Sequence, residues 1–225
     1  LKEFGLAKIG FDGVADVTAC PGTDTCNLGI ADSVHTAQEI ENFIEQNYQE
    51  LVFNNDIKIK ISGCMNSCGQ HSLASIGFHG STLKVGNKIL PALQVLIGGG
   101  PTGDGGGVIA EKVIKVPSKR VKQVIATILD DYNDKKSDGE YFHSYATLQE
   151  PMYFYNLLKP FADLTNINDE DYIDWGHDAD YIKAIGIGEC AGVVIDLVAT
   201  LFLDVEEKLT EKSKEDKTHL LTRQE

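Results

Sequence analysis

Four of the five cysteines stand in two tight pairs, Cys20 with Cys26 and Cys64 with Cys68. Five residues lie between the members of the first pair and three between those of the second. Leu1 to Ala15 lacks the basic start and the apolar run of a secretory signal, so metal or cluster binding is expected ahead of disulfides. Pro21 and Gly22 turn the chain sharply after Cys20. Cys26 precedes an expected helix, whose positive N-terminal end favours thiolate over thiol. Cys64 follows an expected strand, and Gly63 and Gly69 bracket its pair so that backbone can approach a bulky group. The i, i+4 spacing puts the sulfurs of Cys64 and Cys68 on one side of a single turn. Four thiolates gathered in this way suit a cubane iron–sulfur cluster or a structural zinc. Zinc pairs are usually about two to four residues apart, which fits the second pair but not the first, and this places the cluster ahead.

These loops need elements to hold them. Ile30, Val34, Ala37, Ile40, Phe43, Ile44, Tyr48 and Leu51 recur at threes and fours, predicting a helix over 27–53. Ile57, Ile59 and Ile61 alternate with Lys58, Lys60 and Ser62 as a half-buried strand does. Short strands are expected at 73–78, 82–85 and 92–97, then at 112–116, ending at Pro117. Ser118 is expected to cap a second helix with Val121, Val124, Ile125, Ile128 and Leu129 on its apolar face. The polar stretch 133–140 reads as a linker. Beyond it strand signals vanish and aromatics crowd 141–161, and a last helix is expected from about Cys190 to Lys212. The fold class expected is α+β: a mixed or antiparallel sheet flanked by helices over 1–145, followed by an all-helical appendage over 146–225.

The net charge of −14 argues against nucleic acid and against an anionic membrane surface. The most apolar stretch, 191–203, is 13 residues long and carries Asp196. It reads as a buried helix, because a membrane span needs about 20 residues. The chain starts without Met and is expected to be a piece of a longer polypeptide.

The two cysteine segments, TACPGTDTCNLGIADS and ISGCMNSCGQHSLASIGFHG, resemble the signature segments of the siroheme-containing nitrite and sulfite reductases. The likeness includes Pro21, Gly22, Asp24, Thr25, Leu28 and Gly29 in the first. In the second it includes Gly63, Asn66, Gly69, Gln70, Ile76, Gly77 and Gly80. The downstream LIGGG (96–100) and DGEYF (138–142) also fall where that family has a glycine-rich strand end and a Gly-Glu-aromatic turn, so the resemblance covers 13–145.

The resemblance implies that Cys20, Cys26, Cys64 and Cys68 ligate a 4Fe-4S cluster. It also implies that Cys68 bridges to a siroheme iron, with Asn66 and Gln70 beside the cofactors. The implied activity is six-electron reduction of sulfite to sulfide or nitrite to ammonia, supplied by a one-electron donor such as ferredoxin or a flavoprotein subunit, in the cytoplasm. Family members surround the anionic substrate with Arg and Lys, whereas this chain has 20 basic residues against 34 acidic ones, with no Arg-rich segment near the cysteines. Lys58 and Lys60 are the nearest cations before the second pair. The substrate-binding groups are therefore expected in a missing N-terminal half of the same polypeptide, and the fragment alone is not expected to turn over. Two other readings stay open: an electron-transfer iron–sulfur module without siroheme, and a zinc-stabilised domain.

The remaining candidates have plainer readings. His71 either contacts the cofactors or satisfies a local turn. His35, His79, His143, His177 and His219 lack ligand spacing and read as surface or satisfied histidines. The glycine run 98–107 lacks the Gly-Lys-Ser/Thr ending of a phosphate loop and reads as a turn. Cys190 reads as a buried thiol that packs like a small hydrophobe. Trp175, in an acidic stretch, reads as a core tryptophan rather than part of a docking surface.

Overall fold

Ile59 and Ile61 are buried on one face of a strand, as their alternation with Lys58 and Lys60 requires, and neighbouring strands extend that face into a sheet. The computed structural model describes residues 2–4, 11–102 and 105–182. In chain order its strands are β1 (Thr18–Ala19), β2 (Ile59–Ser62), β3 (Ile76–Val85), β4 (Lys88–Ile97), the short β5 (Gly100–Pro101) and β6 (Gly107–Val108), and β7 (Glu111–Pro117). The α-helices are α1 (Ser33–Asn47), α2 (Val121–Lys135), α3 (Phe142–Thr147) and α4 (Tyr153–Leu158).

The main sheet has the order β1-β2-β3-β4-β7. The β1–β2 and β2–β3 pairs are parallel, and β3–β4 and β4–β7 are antiparallel, so the expected mixed sheet flanked by helices is found. Ile76, Phe78, Leu93, Val95 and Ile97 join Ile59 and Ile61 on the core face. Against them lie Ala37, Ile40 and Ile44 of α1 and Val121, Val124, Ile125, Ile128 and Leu129 of α2. Each such Val, Leu, Ile or Phe side chain taken out of water stabilises the fold by about 1.5–3 kcal/mol before entropy is counted.

Four elements differ from expectation, and the structure shows what holds each. The first helix starts at Ser33 rather than 27, because Asp32 caps it, its carboxylate accepting from the His35 N–H at 2.9 Å. The amides of Ile30 and Ala31 cannot join a helix, since both donate to the Gly63 carbonyl. The strand pieces at 73–78 and 82–85 merge into the ten-residue β3, preceded by a 3-10 turn at His71–Leu73. A two-residue turn with Gly86 at φ 59 returns the chain into an equally long β4. Ser118 does not cap α2; it opens a 3-10 turn at Ser118–Arg120 that feeds the helix. The glycine run 98–107 partly pairs as the β5–β6 ribbon.

The linker at 133–140 is tied down, with Tyr132 Oη donating to the Glu140 carbonyl at 2.6 Å. After it come α3 and α4, two 3-10 turns at Lys159–Ala162 and Asp169–Tyr172, and one antiparallel bridge between Ile173 and Asp180. Phe154, Leu158, Phe161 and Trp175 from this region pack on the sheet's own core. The described residues all lie within one compact unit, Leu1–Ile185. The expected helix from Cys190 to Lys212, Cys190 itself and His219 lie outside the described residues. Among the described residues no helix is long and apolar enough to cross a membrane.

Candidate metal centre

Parallel neighbours β1 and β2 are in register, with Ala19 opposite Ile61, and the Cys20 N–H extends the ladder to the Ile61 carbonyl at 3.2 Å. Cys20 is the first residue after β1, and Cys64 comes two residues after β2. Both cysteine loops therefore leave the carboxyl edge of adjacent parallel strands, the edge where sheets of this kind usually place ligands.

The loops are packed backbone against backbone. A Cβ on Gly63 would come within 2.6 Å of the Gly22 Cα and 3.0 Å of the Ala31 carbonyl oxygen. One on Gly69 would meet the Ile61 carbonyl oxygen at 2.1 Å. These glycines thus admit the chain's own backbone rather than a bulky ligand. Ile30 and Ala31 donate to the Gly63 carbonyl at 2.8 and 3.0 Å, joining the first loop to the second immediately before Cys64.

This packing brings the other three cysteines within electrostatic reach of Cys64. Burial pushes the Cys64 thiol above its ordinary value; the backbone N–H of Asn66 works against that, and the charges of Cys20, Cys68 and Cys26 raise it further. The Gly63 N–H donates to Cys20 Sγ at 3.1 Å, and Ser33 Oγ lies 3.5 Å from the same sulfur. Ser33 is the first residue of α1, so Cys20 lies at the helix N-terminus, and Cys26 stands seven residues before that helix in the chain. Cys20, Cys26 and Cys64 are partly buried and Cys68 is exposed. Among the described residues no three His, Cys, Asp or Glu side chains are gathered tightly enough to hold a single metal ion.

Of the other predicted residues, Asn66 contributes its backbone to the Cys64 sulfur and is itself exposed. Gln70 is exposed, takes a left-handed φ of 59, and accepts from Lys60 Nζ at 2.8 Å. Lys58 pairs with Asp12 at 2.7 Å. His71 is buried, with Nδ1 2.8 Å from Ser62 Oγ, and its ring packs 4.9 Å from that of His79. His79 is no surface histidine: it is buried on the sheet face away from the main core, and its Nε2 has no hydrogen-bond partner. Sequence spacing also misses the group formed by Asp32, His35, Asp174 and His177, whose members are up to 145 positions apart. The Asp-Ser step before an apolar run was the one readable sign, as a helix cap.

A mixed sheet with two cysteine-bearing loops leaving its parallel edge defines an α+β domain. Residues 10–147 match the family described as the nitrite and sulphite reductase 4Fe-4S domain, and the chain belongs to that family. It is 25% identical over 133 residues to an assimilatory ferredoxin-dependent nitrite reductase of Haloferax mediterranei, covering 59% of this chain and 22% of the relative. To sulfite reductase (ferredoxin) 1 of Mycolicibacterium paratuberculosis it is 29% identical over 149 residues, 65% of this chain and 27% of the relative. The solved structure of the Mycobacterium tuberculosis NirA protein superposes with a TM-score of 0.51 at 28% identity, over 60% of this chain and 25% of that one. The chain thus spans about a quarter of the length of the relatives it matches.

Proposed function

We propose that Cys20, Cys26, Cys64 and Cys68 hold a 4Fe-4S cluster, and that Cys68 also meets the iron of a siroheme. The chain is then part of a reductase that takes sulfite to sulfide or nitrite to ammonia. The observation that carries this reading is the convergence of two glycine-locked loops, which sets three cysteines within electrostatic reach of Cys64. The donor set fits the group. A zinc site with Zn–S bonds of about 2.3 Å needs its sulfurs close together, whereas a cubane spreads them over four irons. Three cysteines that act on the Cys64 thiol from two interlocked loops are in keeping with the second arrangement. Cys68, the exposed member, is the one free to reach a second cofactor.

When bound, the cluster and siroheme supply the electron transfer and the iron at which the anion is reduced. The chain's own residues do the rest. The Gly63 N–H points at Cys20 Sγ and the Asn66 N–H at Cys64, and such bonds to ligand sulfur raise a cluster's potential. Lys58 and Lys60 are both engaged within the chain, and the cations that bind the substrate are proposed to come from the remainder of the polypeptide. So is the docking surface for a ferredoxin or a flavoprotein subunit, since acidic ferredoxins favour basic faces. Asn66 and Gln70, exposed beside the second pair, are proposed to contact the tetrapyrrole, in a cytoplasmic enzyme.

The test is an absorption spectrum with iron, zinc and labile-sulfide analysis of the anaerobically purified full-length protein and its Cys68→Ser variant. Cluster absorption with a red chlorin band, perturbed in the variant, is expected. A cluster without that band indicates an electron-transfer module, and zinc without sulfide overturns both redox readings.

A further inference from the structure

Residues 168–181 lie beyond the family-matched region, yet they reach back to the cysteine loops. Their 3-10 turn, Asp169–Tyr172, is closed by a capping box between Asn168 and Asp171, and the chain folds back through the Ile173–Asp180 bridge. Trp175 anchors the segment. Its Nε1 donates to the Ser118 carbonyl at 3.0 Å, and the ammonium groups of Lys119 and Lys122 lie 4.1 and 4.8 Å from its ring centroid.

From that anchor two bonds reach residues 30–33. Asp174 Oδ2 accepts from the Asp32 N–H at 2.9 Å, and Tyr181 Oη donates to the Ile30 carbonyl at 2.7 Å. On their other side the same residues grip both cysteine loops. Ile30 and Ala31 donate to the Gly63 carbonyl, the Ala31 carbonyl accepts from Thr23, and Ser33 Oγ donates to the Cys20 carbonyl at 2.7 Å. We propose that residues 168–181 act as a strap, with Asp174 and Tyr181 as positioning residues that set the two cysteine loops relative to each other through residues 30–33.

The strap retains a costly feature. Asp174 and Asp32 are each only 2% exposed and adjacent. Burial, opposed by the N–H groups of Asp32 and Trp175, leaves the Asp174 carboxyl above its ordinary range. A segment that only covered apolar surface would gain nothing from a buried acid. Its role in cofactor binding rests on the reading of the cysteines as cluster ligands; its role in loop geometry does not.

Tyr181→Phe and Asp174→Ala, singly and together, test the strap in the full-length protein after iron removal and thiol reduction. Dibromobimane cross-links near thiols, and mass spectrometry quantifies the Cys20–Cys64 product. Losing both hydrogen bonds is expected to lower its yield about threefold or more, with an unchanged circular dichroism spectrum. Lys135→Ala, which removes an ion pair to Asp131 outside the strap, leaves the yield at the wild-type level. With the cluster loaded, the double variant's reduced-state electron paramagnetic resonance signal is expected to shift or broaden. A wild-type cross-link yield in the folded double variant overturns the proposal. Should the double variant not fold, Tyr181→Phe decides alone: a lowered yield in the folded protein supports the strap and a wild-type yield overturns it. The cross-link needs no iron, so a wild-type protein without labile sulfide overturns the cluster reading while the strap is still judged on yield.

Discussion

His71 lies three residues past Cys68 but behaves as a buried neutral ring. Burial, then the neighbouring His79 and Lys112, hold its pKa down to about 4 from an ordinary 6.5. Burial, with Lys112 and Lys115, lowers His79 against the Gly80 carbonyl 3.1 Å from its Nδ1, and its Nε2 is buried without a partner. A histidine whose folded pKa is depressed contributes stability above its unfolded value, and that contribution is lost as pH falls through the folded one. The urea midpoint of the full-length protein is therefore expected to fall between pH 6.5 and about 4, and His71→Gln to flatten that fall. A midpoint that drops equally in the variant assigns the acid sensitivity elsewhere. The cysteines follow the opposite logic. Burial raises the Cys64 thiol, so if the proposed cluster binds there, loading it would release a proton from Cys64.

The strands were legible because a half-buried strand advertises its period: Ile57, Ile59 and Ile61 are all buried. Helix α2 was equally legible in its apolar face, all five named residues being buried. The start of α1 was not, because what stops it is the capture of two amides by Gly63, 33 and 32 positions away. That contact depends on sterics. Gly63→Ala forces a Cβ against the Gly22 and Ala31 backbone, neither of which can yield as a side-chain tip does. Overpacking of this kind costs about 1–3 kcal/mol, and here it also parts the cysteine loops. Urea unfolding is expected to show that loss, and iron analysis a cluster content well below wild type. A variant with the wild-type midpoint and iron content contradicts the interlocking of the loops.

Residues 146–182 are joined to the rest by their packing. Leu158 is fully buried in the common core, and the Arg120 guanidinium reaches the carbonyls of Phe161 and Asn166 at 3.0 and 3.1 Å. Leu158→Ala is expected to cost about 2–5 kcal/mol, the usual range for a core leucine. Chemical denaturation followed by the signal of Trp175, which packs on the same core, measures it; a change below about 1 kcal/mol shows that helix α4 is dispensable to the core.

The sequence by itself determined the four cysteines, their glycine neighbours, the α+β class and the family resemblance, because residue type, local spacing and period are written along the chain. Only the tertiary structure decided that Cys20 meets the first turn of α1, and that Gly63 and Gly69 make room for backbone. It alone brought Asp174 and Tyr181 to the residues that join the two loops. The physical reason is that these contacts are between atoms distant in sequence, and a hydrogen bond or a steric limit leaves no periodic trace in the residues that make it.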